Sequence, residues 1–277
     1  MPKADVFDAN PGMEPPDIPG PEIKYKVIAE GDSWFTFGGL PFDNLLRHLE
    51  FPDVTRIHNF GTIGHEIVKD MAESITDDFE LSLKTDGMNW DLILISGGGN
   101  DFFSATETSQ PGDPNSLLFD ADNRRRPDMA EYCNMEAIRA LVAKVQGGYH
   151  KIAAMRPRPD AMPMLSYTYD YCMPRNAPVV NLLGPWLYSA FTRFRIPEED
   201  WVALSKFMLN QLGDGILALQ ETIPNFHVVD TRNTLTMAEP GSTADSNDWL
   251  NEVHPNSDGY EKLGAKFTDT INQLLGV

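Results

Sequence analysis

Two cysteines in 277 residues, Cys133 and Cys172, are too few for a disulfide framework. With no export signal in view, two free buried thiols are the simpler reading than a bridge. Basic residues are also scarce. Twenty-two Lys and Arg stand against 41 Asp and Glu, a net charge of -19. Such a surface repels phosphate backbones and anionic membranes, so a nucleic-acid partner is not expected. No stretch approaches the roughly 20 consecutive apolar residues that a membrane span needs. The N-terminus lacks the charged-then-apolar pattern of a signal peptide, so a soluble, cytoplasmic protein is the expectation, with secretion or a periplasmic location left open. Internal repeats, heptad seams and Cys/His metal spacings are absent. His65-Glu66 opens like a zincin helix, but Lys69 stands where the second ligand His belongs, so no metal site is expected there. The aspartates lack calcium-loop spacing. The run Arg124-Arg125-Arg126 reads as a solvated face.

What is present suits one large α/β domain. Hydrophobic residues make up 42% of the chain, enough for a sizeable core. Residues 1–22 hold Pro2, Pro11, Pro15, Pro16, Pro19 and Pro21 and read as an extended or disordered arm, with the fold starting near Ile23. Buried strands are expected at about 24–29, 54–59, 91–96, 162–167 and 226–230. Helical stripes separate them: Ile67, Met71, Ile75 and Phe79; then Met135, Ile138, Leu141, Val142 and Val145; then Trp201, Leu204, Met208, Leu212 and Leu219; and finally Tyr260, Leu263, Phe267, Ile271 and Leu274. Alternating strands and helices imply a parallel sheet covered on both faces.

The most informative segment is Glu30-Gly31-Asp32-Ser33-Trp34, directly after the apolar run 25–29. A strand that ends in a Gly-Asp-Ser turn holds a hydroxyl at the carboxyl edge of the sheet, where open α/β folds bind ligands. Serine is also a common helix N-cap, and alone that reading would win. A Gly-x-Ser-x-Gly elbow does not fit, because Phe35 replaces the second glycine. A serine nucleophile further needs a base and oxyanion donors. Two segments offer donors at strand ends, Asn59-Phe60-Gly61-Thr62-Ile63-Gly64 and Gly97-Gly98-Gly99-Asn100-Asp101. The glycines also suit tight turns, Asn100 suits a plain turn, and neither phosphate-loop pattern fits the Gly97–Gly99 run. The base candidate is His254, one of six histidines, placed in the loop ahead of the last helix.

Four such blocks in this order resemble the GDSL-type, or SGNH, hydrolases. The resemblance implies a flavodoxin-like three-layer α/β/α sandwich around a five-stranded parallel sheet, spanning 23–277 with insertions near 102–132 and 171–200. It implies Ser33 as nucleophile and His254 as base. The oxyanion donors would be the backbone N–H groups of Ser33 and Gly64 and the side-chain amide of Asn100, with no cofactor required. One position departs from the family pattern: the Asp three residues before the base His is Asn251 here. Asn251, then Asp248, then Glu252 are therefore the candidates for orienting the imidazole. Trp34, Phe35, Phe37, Phe102 and Phe103 are candidates for lining the substrate pocket. The second insertion, with Leu182, Leu183, Trp186, Leu187, Tyr188, Phe191 and Phe194, would wall an acyl pocket or simply pack on the sheet. The expected activity is a serine esterase or lipase-like hydrolase acting on a small-molecule, lipid or glycan ester. An acyltransferase using the same site and a catalytically inactive sugar- or peptide-binding module of the same fold are the alternatives.

Overall fold

Residues 1–8, 22–37, 43–71, 77–84, 89–179 and 183–276 are described by the computed structural model. Six parallel strands form one sheet: β1 (Asp5–Asp8), β2 (Tyr25–Gly31), β3 (Thr55–Asn59), β4 (Leu92–Ser96), β5 (Met164–Tyr167) and β6 (Phe226–Val229). Their order is β1-β3-β2-β4-β5-β6. Every residue of β4 is buried, as its unbroken apolar run demands of a central strand covered on both faces. The chain leaves β2 toward β3 on one side and then crosses back to β4 on the other. The end of β2 is thus the switch point where a doubly wound sheet opens a ligand crevice. The register aligns the mouths of that crevice, with Gly31 opposite Ser96 and Ala29 opposite Asn59.

The sixth strand corrects the expected count of five. β1 lies within the segment read as an arm, and pairs Val6 with Ile57 and Phe7 with His58 along the edge of β3. Arg56 Nε donates to Asp5 at 2.9 Å and Asn59 Nδ2 donates to Asp8 at 3.0 Å. A four-residue strand with an acid at each end is a typical protected edge. Its pairing depends on the open edge of β3, which no local pattern shows. The prolines from Pro11 to Pro21 lie outside the described residues.

Helices flank the sheet: α1 (Ser33–Thr36), α2 (Asp77–Lys84), α3 (Gly99–Thr108), α4 (Met135–Ala154), α5 (Leu187–Arg193), α6 (Trp201–Leu217) and α7 (Ser257–Leu274). Asparagine caps start two of the long ones. Asn134 Oδ1 accepts the Ala137 amide, and Asn256 Oδ1 accepts the Gly259 amide. The stripe expected from Ile67 to Phe79 is divided. Ile67–Met71 is a π-helical turn, Phe79 belongs to α2, and Ile75 lies outside the described residues. The first insertion continues α3 through Thr108, and its later part is tied down by Arg125, which donates to the buried Asp200 at 2.7 Å. Tyr132 donates its hydroxyl to the same carboxylate at 2.6 Å, while the Arg124 and Arg125 side chains stay exposed, as a solvated face requires. Both cysteines are free and buried.

Helix α7 closes the fold against the turn Leu45–His48, and Gly264 is where the two touch. A Cβ there would lie 2.5 Å from the His48 carbonyl oxygen and 2.8 Å from its carbon. In an open helix Gly→Ala gains about 1 kcal/mol. Here the obstacle is backbone, so overpacking decides, and Gly264→Ala should destabilise by about 1–3 kcal/mol. A thermal melt with a higher Tm than wild type would contradict this packing.

Candidate active site

The hydroxyl of Ser33 is presented by a buried carboxylate. Asp32 N-caps α1, taking the Trp34 amide at 2.9 Å. The Ser96 hydroxyl at the end of β4 donates to it at 2.6 Å, and the Tyr169 hydroxyl, just past β5, donates to its second oxygen. Burial pushes the Asp32 carboxyl up, while these donors pull it back toward the charged form. Three strand ends are thereby drawn to one point. Ser33 opens α1 immediately beside it, itself buried to 6% exposure.

Ser33 Oγ lies 2.7 Å from His254 Nε2. The other ring nitrogen, Nδ1, lies 3.0 Å from Asn251 Oδ1. That oxygen also accepts the backbone amides of Val253 at 3.1 Å and His254 at 2.9 Å. Only the oxygen end of an amide can take two N–H groups, so the orientation of Asn251 is fixed by its own loop. Nδ1 must then carry the proton, which leaves the Nε2 lone pair facing the serine hydroxyl. Burial lowers the imidazole from 6.5 to about 4, so the ring is neutral at physiological pH. Phe37 and Trp186 pack against it in T-shaped contacts with ring centroids at 5.1 and 6.2 Å.

Neither nearby carboxylate takes the place of Asn251. Asp248 is turned to α7, where both its oxygens accept Lys262 Nζ at 2.7 and 2.6 Å, and it also accepts the Thr236 amide at 2.6 Å. Burial would raise its pKa, but Lys262 and Thr236 hold it below the ordinary carboxylate value. The expectation of Asp248 as an alternative orienter is corrected accordingly. Glu252 has no solvent exposure and accepts backbone amides of Arg175, Trp186, Leu187 and Tyr188.

Two loops complete the arrangement. Gly64 holds φ at +83°, a left-handed value that a side chain would strain even though a Cβ there would meet nothing. Its loop is tethered to β2 by the Thr62 amide on the Gly31 carbonyl at 2.8 Å. Asn100 Nδ2 donates to the His65 carbonyl at 3.0 Å, and Asp101 accepts the amides of Ile67 at 2.8 Å and Val68 at 3.0 Å. Helix α3 therefore fixes the Gly64 loop from its own first turn. Below the loop, His65 Nδ1 sits 3.6 Å from the buried Glu30; this carboxylate pulls the imidazole pKa up, while burial pushes Glu30 up.

Ser33, Gly64, Asn100 and His254 line one open cleft of about 330 Å³. One wall is apolar, built from Phe37, Ile63, Val179, Leu183 and Trp186; the other is the polar face of α3, with Asn100, Ser104 and Glu107. Those last two follow Asn100 at four and seven residues, a helical spacing that could have disclosed them in the sequence. Val179 carried no such signal. Of the aromatic candidates, only Phe37 lines this cleft. Phe35 and Phe102 are core residues with 1% and no exposure, so they do not line it. Trp34 and Phe103 border instead a recess of about 10 Å³ that shares Ser33, Asn100 and His254 with the cleft, and Trp34 is packed among Tyr167, Tyr169, Trp249 and Tyr260. In the second insertion Leu187, Phe191 and Phe194 are core, while Leu183 and Trp186 face the cleft; Leu182 lies outside the described residues. Among the described residues no group of three or more His, Cys, Asp or Glu could hold a metal ion, and no helix is long and apolar enough to cross a membrane.

No curated protein matches the chain. Among solved structures, an extracellular lipase from Streptomyces rimosus aligns with a TM-score of 0.55 and 18% identity, covering 90% of this chain and 99% of that one. A putative arylesterase from Agrobacterium tumefaciens aligns at 0.48 and 14%, covering 90% and 99%, and a family 3 carbohydrate esterase from Clostridium thermocellum at 0.45 and 13%, covering 91% and 98%. At these identities the lipase speaks for the shared fold alone. The sequence profile described as GDSL-like Lipase/Acylhydrolase matches residues 29–267, from the end of β2 into α7, and the chain belongs to that family.

Proposed function

We propose that this protein is a serine hydrolase of carboxylic esters, esterase or lipase-like, working through an acyl-enzyme on Ser33. The observation that carries the reading is the 2.7 Å contact between Ser33 Oγ and a His254 whose tautomer is set by Asn251. His254 Nε2 takes the serine proton as Oγ attacks the ester carbonyl, then returns it to the leaving alkoxide as the carbonyl re-forms. Water, deprotonated by the same nitrogen, attacks the acyl-enzyme and releases the acid and free Ser33. Negative charge on the former carbonyl oxygen would meet the Ser33 and Gly64 amides and the second N–H of the Asn100 side chain, the first being held by the His65 carbonyl. Ser33 and His254 act as a pair with a neutral orienter, Asn251, in place of an acid. The acyl group is assigned to the apolar wall of Ile63, Val179, Leu183 and Trp186. The substrate is thus an ester of a small molecule, lipid or glycan that offers an apolar acyl chain.

Ser33→Ala should fold and lose nearly all hydrolysis of p-nitrophenyl esters, and a fluorophosphonate should label the wild-type protein at Ser33. Labelling at a different serine would sink the mechanism. Asn100→Ala should lower kcat by about 10² to 10³ with little change in KM, as expected for one oxyanion donor. A change confined to KM would make Asn100 a ground-state binding residue instead.

The pH dependence follows from the buried imidazole. His254 is active when neutral, and burial has lowered its pKa to about 4, so the acid limb of kcat/KM should fall well below the ordinary 6.5. Asn251→Asp places a carboxylate on Nδ1, favours the imidazolium, and should move that limb upward while raising kcat. An acid limb unmoved by this substitution would mean that His254 is not the group titrating.

A further inference from the structure

Glu252 was a candidate for the imidazole, yet it serves a different segment. Three of the five residues of the cleft's apolar wall, Val179, Leu183 and Trp186, are carried by the stretch between Arg175 and Tyr188, and both ends of that stretch are fastened to this one residue. At the near end the Arg175 amide donates to Glu252 Oε1 at 3.3 Å, and the Glu252 amide donates to the Ala177 carbonyl at 2.9 Å. At the far end the amides of Trp186, Leu187 and Tyr188 all donate to the same carboxylate, the last two at 3.1 and 2.7 Å. Between these ends stand Val179 and Leu183, which line the cleft, the Val179 amide donating to the Leu183 carbonyl at 2.9 Å.

The Arg175 guanidinium reinforces the junction from the other direction. It is buried and donates to the carbonyls of Trp249 at 3.1 Å and Asn251 at 2.7 Å, and to Ser242 and Ala244. Asn251 and His254 flank Glu252 in sequence, so the wall and the base are clamped to a single short stretch of backbone. A buried carboxylate that accepts several amides is costly to disturb, because each donor left unpaired loses its hydrogen bond in a region water does not reach.

We propose that Glu252 is a positioning residue that holds the apolar wall in register with His254 and thereby sets selectivity for acyl length. The inference rests on the esterase reading for its catalytic consequence. Its structural half, the fastening of 186–188, does not. A short acyl group touches little of the wall, whereas a longer one must run along Val179, Leu183 and Trp186. Loosening the wall therefore penalises long esters selectively, while general loss of folded protein lowers turnover on every ester by one factor.

The test uses Glu252→Gln, which keeps size and removes one acceptor oxygen, with Glu252→Asp as a shortened carboxylate. In Glu252→Gln the ratio of kcat/KM for p-nitrophenyl octanoate to that for the acetate should fall roughly tenfold, about what one methylene contact contributes to discrimination. Glu252→Asp should restore part of it. Hydrogen exchange of a peptide covering 183–193 should speed up in Glu252→Gln while one covering 92–96 is unchanged. An unchanged ester ratio, an equal loss on both esters, or unaltered exchange at 183–193 overturns the proposal. A wild-type protein that hydrolyses neither ester overturns the esterase reading instead, and the exchange comparison, which needs no turnover, still judges the clamp.

Discussion

The rest of the site depends on one buried carboxylate, that of Asp32. It caps α1 and takes hydroxyl donors from the end of β4 and from just past β5, so the mouths of three strands are held together by one side chain. Each of these buried hydrogen bonds is costly to lose, because the polar group left behind has no water to turn to. This forces Ser33 into a fixed place at the switch point of the sheet. The same logic recurs at Asp101, which binds the Ile67–Met71 turn to α3 and so holds the Gly64 loop against Asn100.

Around His254 the electrostatics follow from where the acids are engaged. Asp248 is committed to Lys262 of α7, and Glu252 to the amides of the second insertion. What remains for Nδ1 is the neutral oxygen of Asn251, itself immobilised by two backbone amides. In the proposed reaction the imidazolium forms without a carboxylate beside it, which trades charge stabilisation for a ring held neutral and ready as a base by burial. The cleft over it is two-sided, apolar toward the insertion and polar toward α3, so an acyl chain and an alcohol can lie in different surroundings.

The sequence made much of this legible because local chemistry suffices for it. An apolar run such as 92–95, among alternating strand and helix patterns, reads as a buried parallel strand, and a Gly-Asp-Ser turn after the run 25–29 reads as the carboxyl edge of the sheet. The resemblance of the four blocks, in their order, to the GDSL-type hydrolases pointed to Ser33, Gly64, Asn100 and His254, which line one cleft in the fold. The stripes of α4, α6 and α7 follow in the same way from their helical spacing.

Tertiary structure decided the rest, because those features are choices between partners that are equally available along the chain. Edge strand β1 exists because β3 had an open side, not because 5–8 is a strong strand former. Trp34, Phe35, Phe102 and Phe103 adjoin Ser33 and Asn100 in sequence, but their side chains are buried in the core. Asn251, Asp248 and Glu252 are three polar side chains within five residues, and sequence ranks them only by spacing. Which one meets the imidazole was settled by Lys262 drawing off Asp248 and by the buried amides at 186–188 drawing off Glu252, two demands that come from segments remote in the chain and near only in the fold.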